Sequence, residues 1–452
     1  MPTREELEEL LARASRPAED ALRLHPFYRG KVQTAPKCPI RGVEDFAVWY
    51  TPGVAAPCKE IQAHPERVWE HTNRGNLVAV VSDGTRVLGL GDIGPEAGLP
   101  VMEGKALLFK HLGGVDAVPL CLGTKDPDEL VRAVEWLAPS FGGVNLEDIA
   151  QPKCFRVLER LRERLPIPVW HDDQQGTATV LLAGLTNALA LVGKRLDGVR
   201  LALVGIGAAN VATYRLLRAR GVAPAQIVAC DSRGTLHRGR ADLEVRRAEA
   251  PDKWRVCEET NPDGVRGGVA EALRGADVCV AFSRAGPGVI EPASVRAMAR
   301  DAVVFACANP VPEIWPWDAA DAGARIVATG RSDFPNQLNN SLAFPGIFRG
   351  ALDVRASAIS EGMALAAADA LARVAREAGL RDDRLLPGMG EVEAHVQVAL
   401  ATALAAEREG LARVRLPAAE IEAAARRRIL DAQETAALLL REGRIAAPPG
   451  AP

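Results

Sequence analysis

Two pairs of acids carry the first chemical suggestion in this chain: Glu147-Asp148 and Asp172-Asp173, each closing a short apolar run, GVNLE (143–147) and PVWHDD (168–173). The stretch 152–165 between them has a helical period, so the three pieces read as a βαβ unit whose strands lie parallel and finish at one sheet edge. Neighbouring strands are about 4.8 Å apart, so these acids repel unless something positive sits among them. A divalent cation meets that need. An all-oxygen set with no paired His or Cys favours Mg2+ or Mn2+ over zinc. The plainer alternative is a helix cap, which suits Asp173 before QQGTA. His171, at the end of its apolar run, reads as a packed histidine rather than a ligand.

A second constellation lies downstream. Gly205 and Gly207 follow RLALV and open a helical stretch, the setting in which a helix N-terminus receives a pyrophosphate. Asn210 stands where the usual pattern has a third glycine. Asp231 closes the next run, QIVACD, where an acid accepts hydrogen bonds from ribose hydroxyls. Such an acid repels a 2′-phosphate and leans towards NAD. Arg233, Arg238 and Arg240 follow closely and could neutralise one, so NADP stays open. The bland alternative is a glycine-rich turn with no ligand.

Placing these residues requires particular elements. LVAVV (77–81), VDAVPLCL (115–122), GVNLE and PVWHDD predict strands separated by helices near 103–113, 127–138 and 152–165. A second series, RLALV, QIVACD, DVCVAFS (277–283), AVVFACANP (302–310) and RIVATG (325–330), predicts a doubly wound sheet. The fold class expected is α/β with two domains, an N-terminal substrate and metal domain and a Rossmann-type dinucleotide domain, followed by a helical C-terminal tail. The boundaries expected are 1–176, 177–390 and 391–452, with the apolar helix after Gly176 as the bridge.

A chain of 452 residues is long enough to split into two domains. Its 55 basic and 58 acidic residues give no electrostatic case for nucleic acid or an anionic membrane. The eight cysteines lack zinc spacing and suit a reducing compartment. The charged opening, MPTREELEELLARA, has no apolar signal core, and the expected location is cytoplasmic.

Seven segments in order resemble the malic enzyme family, in particular its shorter prokaryotic members: WYTPGVAAPCKEI (49–61), DGTRVLGLGDIGP (83–95), VMEGKALLFK (101–110), NLEDIAQPKCF (145–155), HDDQQGTA (171–178), FACANPVPEI (305–314) and TGRSDFPNQLNNSLAFPGIFRGALD (329–353). The resemblance implies a metal held by Glu147, Asp148 and Asp173. It implies Lys105 as the base that takes the malate hydroxyl proton and Tyr50 as the acid that protonates the enol carbon. Read alone, Lys105 would be a solvated helix lysine and Tyr50 a packed residue at a turn.

By the same resemblance, Asn309, Asn339 and Asn340 lie where substrate carboxylate or nicotinamide is hydrogen-bonded, although asparagines there also shape turns. Arg86 matches an arginine that grips a malate carboxylate in larger members. The activity implied is oxidation and decarboxylation of malate to pyruvate by NAD or NADP with Mg2+ or Mn2+, in a homodimer or higher homo-oligomer. Gln175 departs from the family's usual histidine, as Asn210 departs from the glycine pattern. Two alternatives remain: a malolactic or related 2-hydroxy-acid enzyme, and a dinucleotide-binding sensor without catalysis.

Overall fold

The computed structural model describes residues 17–331 and 333–449; the charged stretch 1–14 lies outside them. The first sheet contains β1 (Leu77–Ser82), β2 (Asp116–Cys121), β3 (Gly143–Leu146) and β4 (Val169–His171). Its order is β2-β1-β3-β4, with every pair parallel. Strands β1, β3 and β4 are buried almost throughout, as continuous apolar runs must be when helices cover both faces. The crossovers are α1 (Pro95–Gly113), α2 (Pro127–Leu137) and α3 (Lys153–Arg164). Asp126 caps α2 by accepting the Asp128 and Glu129 amides.

Helix α4 (Thr177–Leu191) is apolar on nearly every face and leads to the second sheet. That sheet contains β5 (Leu201–Val204), β6 (Ile227–Asp231), β7 (Gly234–Thr235), β8 (Val278–Ala281), β9 (Ala302–Ala306) and β10 (Ala324–Thr329). Its order, β10-β9-β8-β5-β6-β7, reverses direction between β5 and β8, the switch point at which open α/β sheets bind ligands. Only β7 runs antiparallel. Helix α5 (Ala208–Ala219) follows β5.

The C-terminal part is helical: α6 (Phe344–Asp353), α7 (Glu361–Glu377), α8 (Val392–Arg408) and α9 (Ala418–Arg441). These helices return to the first sheet, since α6 and α9 both pack on α1. Phe109 of α1 meets Phe344 and Phe348 of α6 edge-on, at 4.6 and 5.2 Å. A single apolar cluster therefore runs from the first sheet through α4 to the C-terminal helices.

Three local features differ from the sequence expectation. Helix α1 starts at Pro95, two turns early, because Pro95 occupies its first position and Gly94 takes a left-handed φ of 83° before it. The run PVWHDD is strand only to His171; Asp172–Gly176 form a π-helical turn. The two-residue β7 is too short for any periodicity to show.

Candidate active site

The positive charge demanded by the strand-edge acids is already present as Lys105. From the middle of α1 its Nζ lies 2.8 Å from Glu147 Oε1 and 2.7 Å from Asp172 Oδ2, with the lysine only 7 % exposed. Burial alone would lower the lysine pKa, but attraction to Asp172 and Glu147 outweighs it and carries the group above its ordinary value. The Phe344 ring lies 4.3 Å from the ammonium and adds a cation–π contact. Asn145 Nδ2 donates to Glu147 Oε2 at 2.8 Å, and Trp170 Nε1 donates to Asp172 Oδ1 at 3.1 Å. Both carboxylates are thereby fixed from two sides.

Asp148 and Asp173 have no such lysine between them. Asp173 Oδ2 accepts the Asp148 amide at 2.9 Å, which draws the two acids together. Asp148 itself adopts a left-handed φ of 55°, and its Oδ2 is buried without a partner among the described residues. Burial, and then the charge of Asp173, push its pKa up to about 8. Among the described residues no three His, Cys, Asp or Glu side chains are arranged as a finished metal cage. An orphaned buried carboxylate oxygen, repelled by a neighbouring acid in a hard all-oxygen set, is nevertheless what a Mg2+ or Mn2+ site requires, so the donors fit that class of ion.

The remaining sequence-predicted residues fall at different distances from this cluster. The Arg86 amide donates to the Asp148 carbonyl at 3.0 Å and its exposed guanidinium bonds the Leu88 carbonyl, beside the acids. Asn340 adjoins the acidic turn, since a Cβ on Gly176 would lie 3.3 Å from its own Cβ. Asn339 caps the short turn Asn340–Leu342 by accepting the Ser341 amide at 2.9 Å. Asn309 is exposed after β9, with its carbonyl 2.8 Å from where a Gly89 Cβ would sit; the second sheet thus meets the 83–95 loop of the first. Tyr50 is 69 % exposed, next to exposed Val43, Phe46, Val48 and Trp49, and no hydrogen bond joins it to Lys105.

The two departures from the family pattern have structural uses. Gln175 Oε1 accepts the His171 amide at 3.0 Å and closes the π turn. His171 is wholly buried, with the nearer Asp173 oxygen 3.5 Å away. The side chain of Asn210 is wholly buried under the glycine turn, where its Nδ2 donates to the carbonyls of Val204, Gly205 and Val280. It braces strands β5 and β8 instead of facing the cleft. Gly205 has φ 83°, and a Cβ there would meet the Phe282 carbonyl at 2.6 Å, so only glycine fits. At Gly207 an added Cβ would be 3.7 Å from Gln151 Nε2, which brings the acid-bearing loop over the dinucleotide turn.

Asp231 ends β6 as expected, bonded to Arg240 and Lys253, while the Arg233 side chain extends from the following turn. Three supporting residues received no role from the sequence: Lys253, which lies in no motif, and the ion pair of Lys153 with fully buried Asp83 below the acid loop, which lie within segments quoted for other residues. Their partners are distant in sequence, and an isolated lysine or aspartate has no pattern to read.

A glycine turn at the switch point of a doubly wound sheet, met by Gln151 of the loop that follows a strand edge with a buried lysine between carboxylates, defines a dinucleotide-dependent oxidoreductase with a second catalytic domain. Comparison with known proteins narrows the class. Residues 29–162 match the family Malic enzyme, N-terminal domain, and residues 174–407 match Malic enzyme, NAD binding domain. The chain is 48% identical to the bifunctional malic/malolactic enzyme of Bacillus subtilis, over 89% of this chain and 96% of that protein. It is 49% identical to the NAD-dependent malic enzyme of Geobacillus stearothermophilus, over 85% and 78% of the two chains. With the NADP-dependent malic enzyme of Rhizobium meliloti it shares 47% identity, over 80% of this chain and 46% of that one. The crystal structure of the Entamoeba histolytica malic enzyme superposes with a TM-score of 0.93 at 46% identity, covering 97% and 92%. The chain belongs to the malic enzyme family.

Proposed function

We infer that this chain oxidises malate with NAD or NADP and decarboxylates the product, releasing pyruvate and carbon dioxide. The observation that carries this reading is Lys105, clamped between Glu147 and Asp172 at the strand edge whose following loop brings Gln151 to Gly207. Relatives named malic enzyme, nearly half identical over most of the chain, support it.

Glu147, Asp148 and Asp173 would hold Mg2+ or Mn2+. Such a cation, when bound, supplies the pull on the C2 oxygen that loss of the neighbouring carboxylate requires. Lys105 takes the hydroxyl proton as hydride leaves C2. Because the resting lysine is held charged, it must first release a proton, and Asp172 Oδ2 at 2.7 Å is the adjacent acceptor. Burial keeps the Asp172 carboxyl above its ordinary pKa, although Lys105 opposes this, so Asp172 is suited to receive it. Arg86 pairs with a substrate carboxylate, and Asn309, Asn339 and Asn340 orient substrate and nicotinamide. Gly205 and Gly207 receive the pyrophosphate above Asn210, with Asp231 and Arg233 at the adenosine end.

Tyr50 delivers the final proton to C3. An exposed phenol does so only where something covers it, and the apolar row Val43, Phe46, Val48 and Trp49 beside it is the face that a second copy in a homodimer would cover. We further propose 1–176 as the substrate and metal domain, 177–390 as the dinucleotide domain and 391–452 as a helical segment. Among the described residues no helix is long and apolar enough to cross a membrane.

The test is an absorbance assay at the reduced-nicotinamide band with malate and Mn2+, coupled to product identification. Reduced dinucleotide and pyruvate in equal amounts are expected. Lactate without net reduction would support the malolactic reading, which the Bacillus subtilis relative's name keeps in view. Binding of dinucleotide with no turnover under any divalent ion would leave only the sensor.

A further inference from the structure

The acid at the end of β6 is the usual arbiter between the two dinucleotides, because a free carboxylate there binds the ribose hydroxyls and repels a 2′-phosphate. Asp231 is not free. Its Oδ1 accepts the Arg233 amide at 2.9 Å and Arg240 NH1 at 3.1 Å; its Oδ2 accepts Arg240 NH2 at 3.2 Å and Lys253 Nζ at 2.5 Å. A carboxylate offers about four lone-pair positions, and these donors occupy all of them. None remains for a ribose hydroxyl unless an ion pair opens.

Nor does the carboxylate present its charge to the cleft. Arg240 is buried and also holds Asp242 through Nε at 2.7 Å and NH2 at 2.9 Å, and the carbonyls of Gly234 and Thr235 through NH1. It is a fixed strut with no donor to spare. Arg233 differs: among the described residues its side chain has one partner, Asp242, at 3.3 Å, and it is 69 % exposed. The cluster sets the cations Arg233, Arg240 and Lys253 against the acids Asp231 and Asp242, an excess of positive charge displayed through the exposed guanidinium. The surrounding field agrees, since burial and then Arg266 and Arg240 lower the pKa of neighbouring His237.

We propose that this chain is selective for the 2′-phosphorylated dinucleotide, NADP, with Arg233 gripping the phosphate and Asp231 serving to position Arg240 and Lys253. The proposal deepens the malic enzyme reading and rests on it only for the place of the dinucleotide. A planar guanidinium with free donors matches a phosphate bidentately, and a charge-assisted pair of this kind gives on the order of tenfold to a hundredfold in affinity.

The test separates binding from chemistry. The intact protein is titrated calorimetrically with NADP and with NAD, without malate, and so is Arg233→Gln. NADP is expected to bind at least about tenfold more tightly than NAD, with a steeper loss in added salt. Arg233→Gln should weaken NADP about tenfold or more and weaken NAD by much less. Equal or tighter NAD binding by the unsubstituted protein, an equal loss for both dinucleotides in the variant, or no binding of either would overturn the assignment. Selective NADP binding with no malate turnover would instead leave this assignment standing and refute the proposed reaction.

Discussion

Lys105 illustrates how a single side chain can serve folding and chemistry with conflicting demands. Its ammonium neutralises Glu147 and Asp172 inside the protein, yet a base must spend part of each cycle uncharged. Replacing it with methionine keeps the volume and removes the cation, leaving two buried carboxylates unpaired. Lys105→Met is therefore expected to cost about 3–5 kcal/mol of stability, as for other buried pairs that lose one partner. Urea unfolding would measure that loss. Malate oxidation should fall by orders of magnitude while dinucleotide binding in titration persists; near-normal oxidation at saturating cofactor would remove Lys105 from the mechanism. Asp173→Asn tests the neighbouring pair. It keeps the acceptor for the Asp148 amide but removes one negative charge, so stimulation of turnover by Mn2+ should disappear with little change in unfolding midpoint.

At the scale of elements, close helix packing is as decisive as the sheet edge. Gly346 and Gly350 lie one turn apart on α6 and face α8: a Cβ on Gly346 would sit 2.7 Å from the His395 carbonyl, and one on Gly350 would collide with the Ala399 carbonyl. Gly350→Ala is expected to push α6 off α8 and α1, costing about 1–3 kcal/mol, the range for overpacked cores. A lowered thermal midpoint would show it, whereas an unchanged one would mean that the helices can slide apart freely. Strands β1, β3 and β4 could be read from apolar runs because both of their faces are buried, and the shared edge of Glu147 and Asp172 followed from their parallel pairing. The π turn could not be read, since it arises from Gln175 capping His171 and Trp170 holding Asp172, contacts with no repeating period. Asn210 was visible as a departure from the glycine pattern, but its role as a brace depends on β8, some seventy residues away in sequence. The saturation of Asp231 was hidden for another reason: Arg240 was visible nine residues on, but nothing in the spacing shows that it turns back onto the acid together with Lys253. Tyr50 and Lys105 acquired roles only through family resemblance, because a lone tyrosine or lysine has no spacing to interpret.

For the whole molecule, the return of the C-terminal helices to the first sheet couples parts that are far apart in sequence. Arg349 of α6 is fully buried, holds Asp353 at 3.0 and 2.7 Å, and reaches Asn76 beside β1 at 2.5 Å. With one apolar cluster continuous through these layers, unfolding is expected as a single transition that a titration anywhere in the cluster will shift. His395 of α8 provides such a titration. It is buried, its Nε2 donates to the Met389 carbonyl at 2.8 Å, and its Nδ1 has no partner among the described residues. Burial lowers its pKa, and the Met389 contact only partly opposes this. The unfolded chain binds a proton there from about pH 6.5 downwards while the folded chain does not, so stability is full above that pH and declines as the pH falls. Wholly buried His171, also shifted down by burial, acts in the same direction. The raised carboxyls of Glu147, Asp148 and Asp172 act in the opposite direction, so denaturant unfolding from about pH 7 to about pH 5 should show one transition, and the His395 share of its pH dependence is read as the difference from a variant. His395→Leu should start from a lower stability, because the Met389 carbonyl loses its donor, but decline less over that interval. A variant that declines as steeply as the parent would place the proton uptake elsewhere. Two separated transitions would show that the C-terminal helices cover the first sheet without being energetically coupled to it.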